Sequence, residues 1–216
     1  MLLGEARQRH AADRDDAVLD GRGAGEEVEH RLILHTWAVR HAIPDTLLAG
    51  LDDVRSSPSD LGTVELIVRR PAEDEREVLD AGVLDLAEGL VGDSWGTRGA
   101  SPSLEAQLTL MNARMAALVA GERERWPLAG DQFYVDLDLG VENLPAGARL
   151  ALGGAVVEIS ALPHTGCAKF SARFGSEALR FVNSPDGRAL RLRGVNARVV
   201  EPGTVRVGDA LRKLDD

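Results

Sequence analysis

At 216 residues the chain suits one sizeable core and excludes two large domains; with 44% apolar, 28% charged and only 4% aromatic residues, that core must be filled by Leu, Val and Ala. A formal net charge of −10 excludes a protein that coats nucleic acid or lies on an anionic membrane, because both need a basic footprint. The single cysteine cannot form an internal disulfide, no run is long enough to span a bilayer, and the first residues lack the succession of a secretory signal, so the cytoplasm is the expected compartment.

Residues 1–60 read as an N-terminal extension. The first 25 or so, with the acidic stretch Asp13–Asp20 and the glycines of Gly21–Gly25, are expected to be disordered. From Glu26 to His41, Val28, Leu32, His35 and Ala38 recur at helical spacing, predicting an amphipathic helix ended by Ile43–Pro44. His30, His35 and His41 do not share one face of it and no recognised ligand set completes them, so no metal site is expected there. Arg55–Asp60 reads as a linker.

Residues 61–216 carry the folded domain. Thr63–Arg69 alternates as a first strand stopped by Pro71, and Asp74–Leu79 is expected to form a helical turn. Gly89 and Gly92 bracket the strand-like pair Leu90–Val91, with Asp93 and Trp95 on an exposed loop beyond. Gln107–Met111 alternates as a strand, after which Asn112 caps a helix over Ala113–Ala120 with Gly121 past its end. Met111 and Met115 belong to the core. Arg114 sits against the dipole of that helix's first turn, so it reaches an acidic partner or lies beside a bound anion.

Gln132–Gly140 alternates again, with Asp136 and Asp138 on a solvated face and Val135, Leu137 and Leu139 opposite. A turn at Leu144–Gly147 leads into a hairpin, Ala148–Leu152 and Ala155–Ser160 joined by Gly153–Gly154. Ser176–Val182 is a short helix and Asn183–Gly187 a turn; Ala189–Arg193, Gly194–Val200 and Val205–Asp209 are further strands. Many short strands with few helices predict a mainly β, α+β domain of β-barrel type.

The chemistry gathers at Pro163–Gly175, where His164, Thr165, Lys169 and Arg173 surround Cys167. Residues 163–216 carry 10 basic and 6 acidic side chains, leaving −14 on the rest, and a local positive field in an acidic protein suits a small anionic ligand better than a polyanion. Residue types alone leave open whether Cys167 is a ligand or a small buried hydrophobe.

The ordered set Gly89–Asp93, Gln107–Leu110, Leu144–Leu150, Gly153–Ile159, the Pro-x-x-x-Cys stretch, Arg193–Val199 and Pro202–Asp209 resembles the MOSC domain, a module of molybdenum-cofactor sulfurases and of small bacterial proteins; the match covers roughly residues 62–212. The resemblance implies a MOSC-type β-barrel and a cysteine, Cys167, that binds molybdenum or carries sulfur for it. It implies a molybdenum cofactor (molybdopterin), its phosphate held by Lys169 and Arg173, with His164, Thr165, Asp93, Arg193, Asn196 and Arg198 around it; Arg114 is added from its place in the helix. Where many members have an Arg and an Asn, this chain has Gln132 and Phe133, and Ser94 stands where a basic residue is common. The implied activity is reduction of N-hydroxylated or N-oxide compounds with an electron-donor reductase as partner, or sulfur transfer from a cysteine desulfurase. The alternative is a non-catalytic carrier or binding module for an anionic ligand.

Overall fold

The structure, a computed structural model, describes residues 31–32, 44–97 and 102–215. Among these, with strands numbered in chain order, a ring closes through β2 (Leu61–Arg69), β12 (Ala210–Leu214), β8 (Arg149–Leu152), β9 (Ala155–Ile159), β10 (Val195–Glu201), β6 (Leu108–Asn112) and β7 (Phe133–Asp136), which returns to β2. Only the β6–β7 contact in that ring is parallel. Outside it, β3 (Glu77–Leu79) and then β1 (Arg31–Leu32) extend the sheet from β2, while β4 (Ala81–Asp85), β5 (Gly89–Leu90) and β11 (Gly203–Arg206) form a small separate sheet. The helices are α1 (Pro44–Ala49), α2 (Leu51–Arg55), α3 (Ala113–Ala120), α4 (Ala168–Phe174), α5 (Ser176–Asn183) and α6 (Pro185–Ala189). The predicted mixture, a β-barrel with a few helices, is the one observed.

Side-chain alternation divides the apolar residues between two cores. Val64, Ile67, Leu110, Phe133, Val135 and Leu150 fill the ring, and Leu66, Val68, Met111 and Tyr134 point outward under α1–α5. Val64 and Ile67 are three apart, yet both face inward, because the register against β7 slips between Val64 and Leu66. One extra residue in β2 reverses the parity of the strand at that point. Full burial of one such side chain, Phe133 for example, contributes about 1.5–3 kcal/mol.

Local signals explain α3 and the hairpin. The Asn112 side chain accepts from the Met115 amide at 3.0 Å, as its capping role requires, and Gly121 ends the helix at φ 74°. Gly153–Gly154 joins β8 to β9.

Several expectations need correction. Asp74–Leu79 is a turn followed by β3, since pairing with Ile67–Arg69 of β2 outweighs the helical tendency of its acidic residues. The segment read as a turn at Asn183–Gly187 and as a strand at Ala189–Arg193 instead holds α6 and a turn. Ser184 accepts from the Gly187 amide at 3.0 Å, and Pro185 takes the first helical position. β11 ends at Arg206, not Asp209, and a further strand, β12, closes the ring. Asp136 and Asp138 are not simply solvated: Asp136 pairs with Arg114, and Asp138 Oδ1 accepts from the Gly140 amide at 2.8 Å.

Residues 44–60 are part of the packed body. Leu47, Leu51 and Val54 are buried in the outer core, and the segment read as a linker is tied down, with Pro58 O accepting from Asp138 N at 2.8 Å and Ser59 O from Asn143 Nδ2 at 2.8 Å. The helix expected over Glu26–His41 lies outside the described residues, except that Arg31–Leu32 is a strand against β3. The stretch expected to be disordered and the three N-terminal histidines also lie outside them. Among the described residues, no helix is long and apolar enough to cross a membrane.

Candidate functional site

Where β2 ends and β7 and β10 begin, a cleft of about 1040 Å³ opens beside α4. Cys167 immediately precedes α4 and its side chain is exposed on this cleft. Phe170 and Phe174, with ring centroids 4.9 Å apart, bury the inner face of that helix. The loop before it is pinned: Asn183 of α5 accepts from Gly166 N at 3.0 Å and donates to Gly166 O at 3.1 Å. A Cβ at Gly166 would stand 2.7 Å from Leu179. This clamp fixes the backbone that presents the thiol.

Beneath the cleft lies a buried ionic network. Asp131, just before β7, accepts from Arg193 Nη1 at 2.6 Å and shares a 2.9 Å hydrogen bond with His164 Nε2. Arg193 also donates to Ala129 O at 2.9 Å and lies over the Phe170 ring at 5.2 Å. Burial pushes the Asp131 carboxyl up, but Arg193 and His164 outweigh it and hold the group below the usual carboxylate range. Burial, reinforced by Arg193, lowers the His164 imidazole against the pull of Asp131. A carboxylate at Asp131 therefore assigns the proton of neutral His164 to Nε2 and leaves the lone pair on Nδ1, which bonds to no described residue.

The depressed imidazole carries a pH dependence. Below about pH 6.5 the unfolded chain binds a proton at this position that the folded chain still refuses, so stability is full above that pH and falls as pH drops toward the folded value. Urea unfolding is expected to show a lower midpoint at pH 5.5 than at pH 7.5, with His164→Gln flattening the difference; an unchanged slope in the variant would refute this.

A second pair holds the strand end. Arg70, directly after β2, makes a two-pronged bond to Asp93, at 2.9 Å for each prong, and donates to Gly130 O at 2.7 Å. Asp93 also accepts from the Arg70 and Trp95 amides at 2.9 and 3.0 Å. The loop expected to be exposed is therefore buried at both residues, with the Asp93 side chain 0% and Trp95 6% exposed. Asp93 acts by fixing Arg70 rather than by facing the cleft.

Of the residues proposed from sequence, His164, Thr165, Cys167, Lys169, Arg173, Arg193 and Asn196 all line the cleft. Arg114 and Arg198 do not. Arg114 takes the acidic-partner alternative, bonding Asp136 at 2.8 Å, and Arg198 pairs with Glu158 at 2.6 Å. Gln132 links β6 to β7, its Oε1 accepting from Thr109 N at 2.8 Å and Thr109 Oγ1 at 2.7 Å, and Phe133 fills the ring, so neither lines the cleft. Sequence reasoning missed Arg70, Arg76, Asp131 and Asn183; each sits beside a strand or helix end and carries no motif of its own.

Charge in the cleft is only partly neutralised. Lys169 reaches Glu73 at 2.6 Å and Arg173 reaches Asp74 at 3.0 Å, both acids being exposed on the rim. Arg76 donates to the carbonyls of Glu75 and Pro127 and has no carboxylate within ion-pair distance among the described residues. Burial, then Arg173 and Arg70, lower its guanidinium from the ordinary value, the mark of crowded like charges. Arg193 Nε is likewise buried without a partner.

A family model of the MOSC domain matches residues 103–212, just over half of the chain. The chain belongs to the MOSC domain family. Among solved structures, YiiM from Geobacillus stearothermophilus is 15% identical with a TM-score of 0.51, the alignment covering 71% of this MOSC chain and 75% of that one. YiiM from Escherichia coli is 19% identical, with 71% and 70% covered and a TM-score of 0.49. YuaD from Bacillus subtilis is 17% identical, with 70% and 94% covered and a TM-score of 0.46. At such identities the likeness is one of fold. No curated protein matches the sequence.

Proposed function

We propose that this MOSC protein binds a molybdenum cofactor with Cys167 as the metal's thiolate ligand and reduces N-hydroxylated or N-oxide compounds. The observation that carries the reading is the exposed Cys167 thiol on a cleft whose guanidiniums outnumber their partners. A thiolate is a soft ligand suited to molybdenum, and Arg76, backed by Arg70 and Arg173, offers unspent donors to a phosphate group. Arg193, with its unpartnered buried Nε, stands at the same wall. These residues fit the group.

When bound, the cofactor would supply two-electron redox chemistry, and an electron-donor reductase would recharge it. Cleaving an N–O bond to amine and water consumes two electrons and two protons. The two protons come from solvent; neutral His164, which lines the cleft with its Nε2 proton spent on Asp131, would accept one at Nδ1 and pass it on. Arg70 and Arg76 would bind and orient the anionic tail, and the Asn183 clamp holds Cys167 in place.

The test is metal analysis of protein made in a host that synthesises the cofactor. Near-stoichiometric molybdenum and oxidised-pterin fluorescence are expected in the wild type, with both lost in an equally folded Cys167→Ala. Metal retained by the variant, or absent from the wild type, refutes the reading. Exposure of Cys167 also favours a second reading, in which its thiolate takes the terminal sulfur of a desulfurase persulfide and releases the donor thiolate. Metal-free protein carrying cyanide-releasable sulfur at Cys167 would assign that role instead.

A further inference from the structure

A second cavity, of about 370 Å³, shares the Pro163–Thr165 segment and Asn196 with the Cys167 cleft. Val141, Leu162, Val182 and Val195 give it an apolar wall, and Arg188 and Arg191 line it with no carboxylate among the lining residues. Arg188 makes no ion pair or side-chain hydrogen bond with any described residue. Arg191 is half-buried and donates from Nη1 to Leu144 O at 2.5 Å and Leu139 O at 3.4 Å. Burial alone lowers its guanidinium, with no acid to offset the cost. Its backbone is also held at φ 47°, a region that few non-glycine residues occupy. A half-buried guanidinium with carbonyl partners but no counter-charge, in a mostly apolar cavity, is an unfinished pair.

We propose that this cavity binds a small monoanion with an apolar body, an aryl or alkyl carboxylate, with its head between Arg188 and Arg191 and its body against Leu162 and Val195. A guanidinium pairs with a carboxylate through parallel hydrogen bonds, and the valines and Leu162 suit a hydrocarbon body. Inorganic phosphate could meet the two guanidiniums but has no apolar body to cover Val141, Leu162, Val182 and Val195. The shared segment puts the occupant beside the Cys167 cleft, which makes a carboxylate of this kind that also bears an N-hydroxyl or N-oxide group a candidate substrate of the reaction proposed above. That role rests on the cofactor reading, whereas the binding itself does not.

The test is titration of the full chain with phenylacetate and with its neutral twin phenylacetamide, by calorimetry and ligand-detected NMR. Phenylacetate is expected to bind at least about 10-fold more tightly than the amide and to lose a similar factor in Arg188→Gln. Leu162→Trp, at a partly exposed position, is expected to block both compounds. Cys167→Ala and Arg173→Gln are expected to leave phenylacetate binding intact. Equal affinities, no phenylacetate binding up to about 10 mM, or a loss in Arg173→Gln that Arg188→Gln does not share would overturn the proposal. Failure of the cofactor reading shows separately, as absent molybdenum in a chain that still binds phenylacetate through Arg188.

Discussion

Asp131→Ala is expected to lower the unfolding free energy by about 3–5 kcal/mol, the cost of stranding a buried charge. The Asp131 side chain is 0% exposed and is the carboxylate that faces Arg193, itself only 7% exposed. Removing it would leave the guanidinium with Ala129 O, the Phe170 ring and an Nε that already lacks a partner. Asp131→Asn should fall between, since an amide oxygen can accept a hydrogen bond but brings no charge. Removing both partners with apolar residues, Asp131→Leu with Arg193→Met, should cost less than the single change, because no orphan charge remains. Urea denaturation of the three variants checks this. A single-variant loss below about 1 kcal/mol, the size of an exposed ion pair, would show that water reaches the network.

Gly194→Ala is expected to cost about 2–5 kcal/mol, from the left-handed backbone and from overpacking together. Gly194 lies at φ 103°, and a Cβ there would stand 2.2 Å from Leu110 O and 3.1 Å from Leu110 C. That neighbour is backbone of β6 and cannot swing aside. Gly147 is the control: at φ 88° it has nothing within 4 Å of the added atom, so Gly147→Ala should show only the conformational cost, about 1–2 kcal/mol. Equal losses at the two positions would refute the steric argument. Because Gly194 follows Arg193 directly, the displacement should also disturb the Asp131 pair and, on the proposed cofactor reading, lower molybdenum retention as well as stability.

What was legible in the sequence was what is encoded locally. Alternation marked β2, β6, β7 and β9, Asn112 announced its helix, and Gly153–Gly154 its hairpin. The Ala189–Arg193 alternation misled because the same five residues follow a capped start at Ser184–Pro185, and the cap governs where the chain goes. The glycine at 187 disguised that start as a turn; its amide is the group that Ser184 caps. The cleft residues near Cys167 were visible because they are near Cys167. Asp131 was not, for its partners stand 33 and 62 positions away and nothing around it states which cation it will meet. Asp93 was noticed but misread as exposed for the same reason, its Arg70 being 23 positions upstream.

Ring closure between β2 and β12 sets a schedule for folding. Thr63 pairs with Ala210 and Leu61 with Arg212, so the first and last strands of the barrel are neighbours. During synthesis, β3 can pair early with Ile67–Arg69, but the Leu61–Thr63 end of the same flank of β2 stays unpaired for some 150 residues, until β12 emerges. Helices α3, α4 and α5 can form locally in that interval, but the interior filled by Val64, Leu150 and Leu211 cannot be sealed. A nascent chain stalled before Ala210 would therefore carry an open sheet edge, making it a substrate for chaperones and for edge-to-edge association that the finished protein escapes.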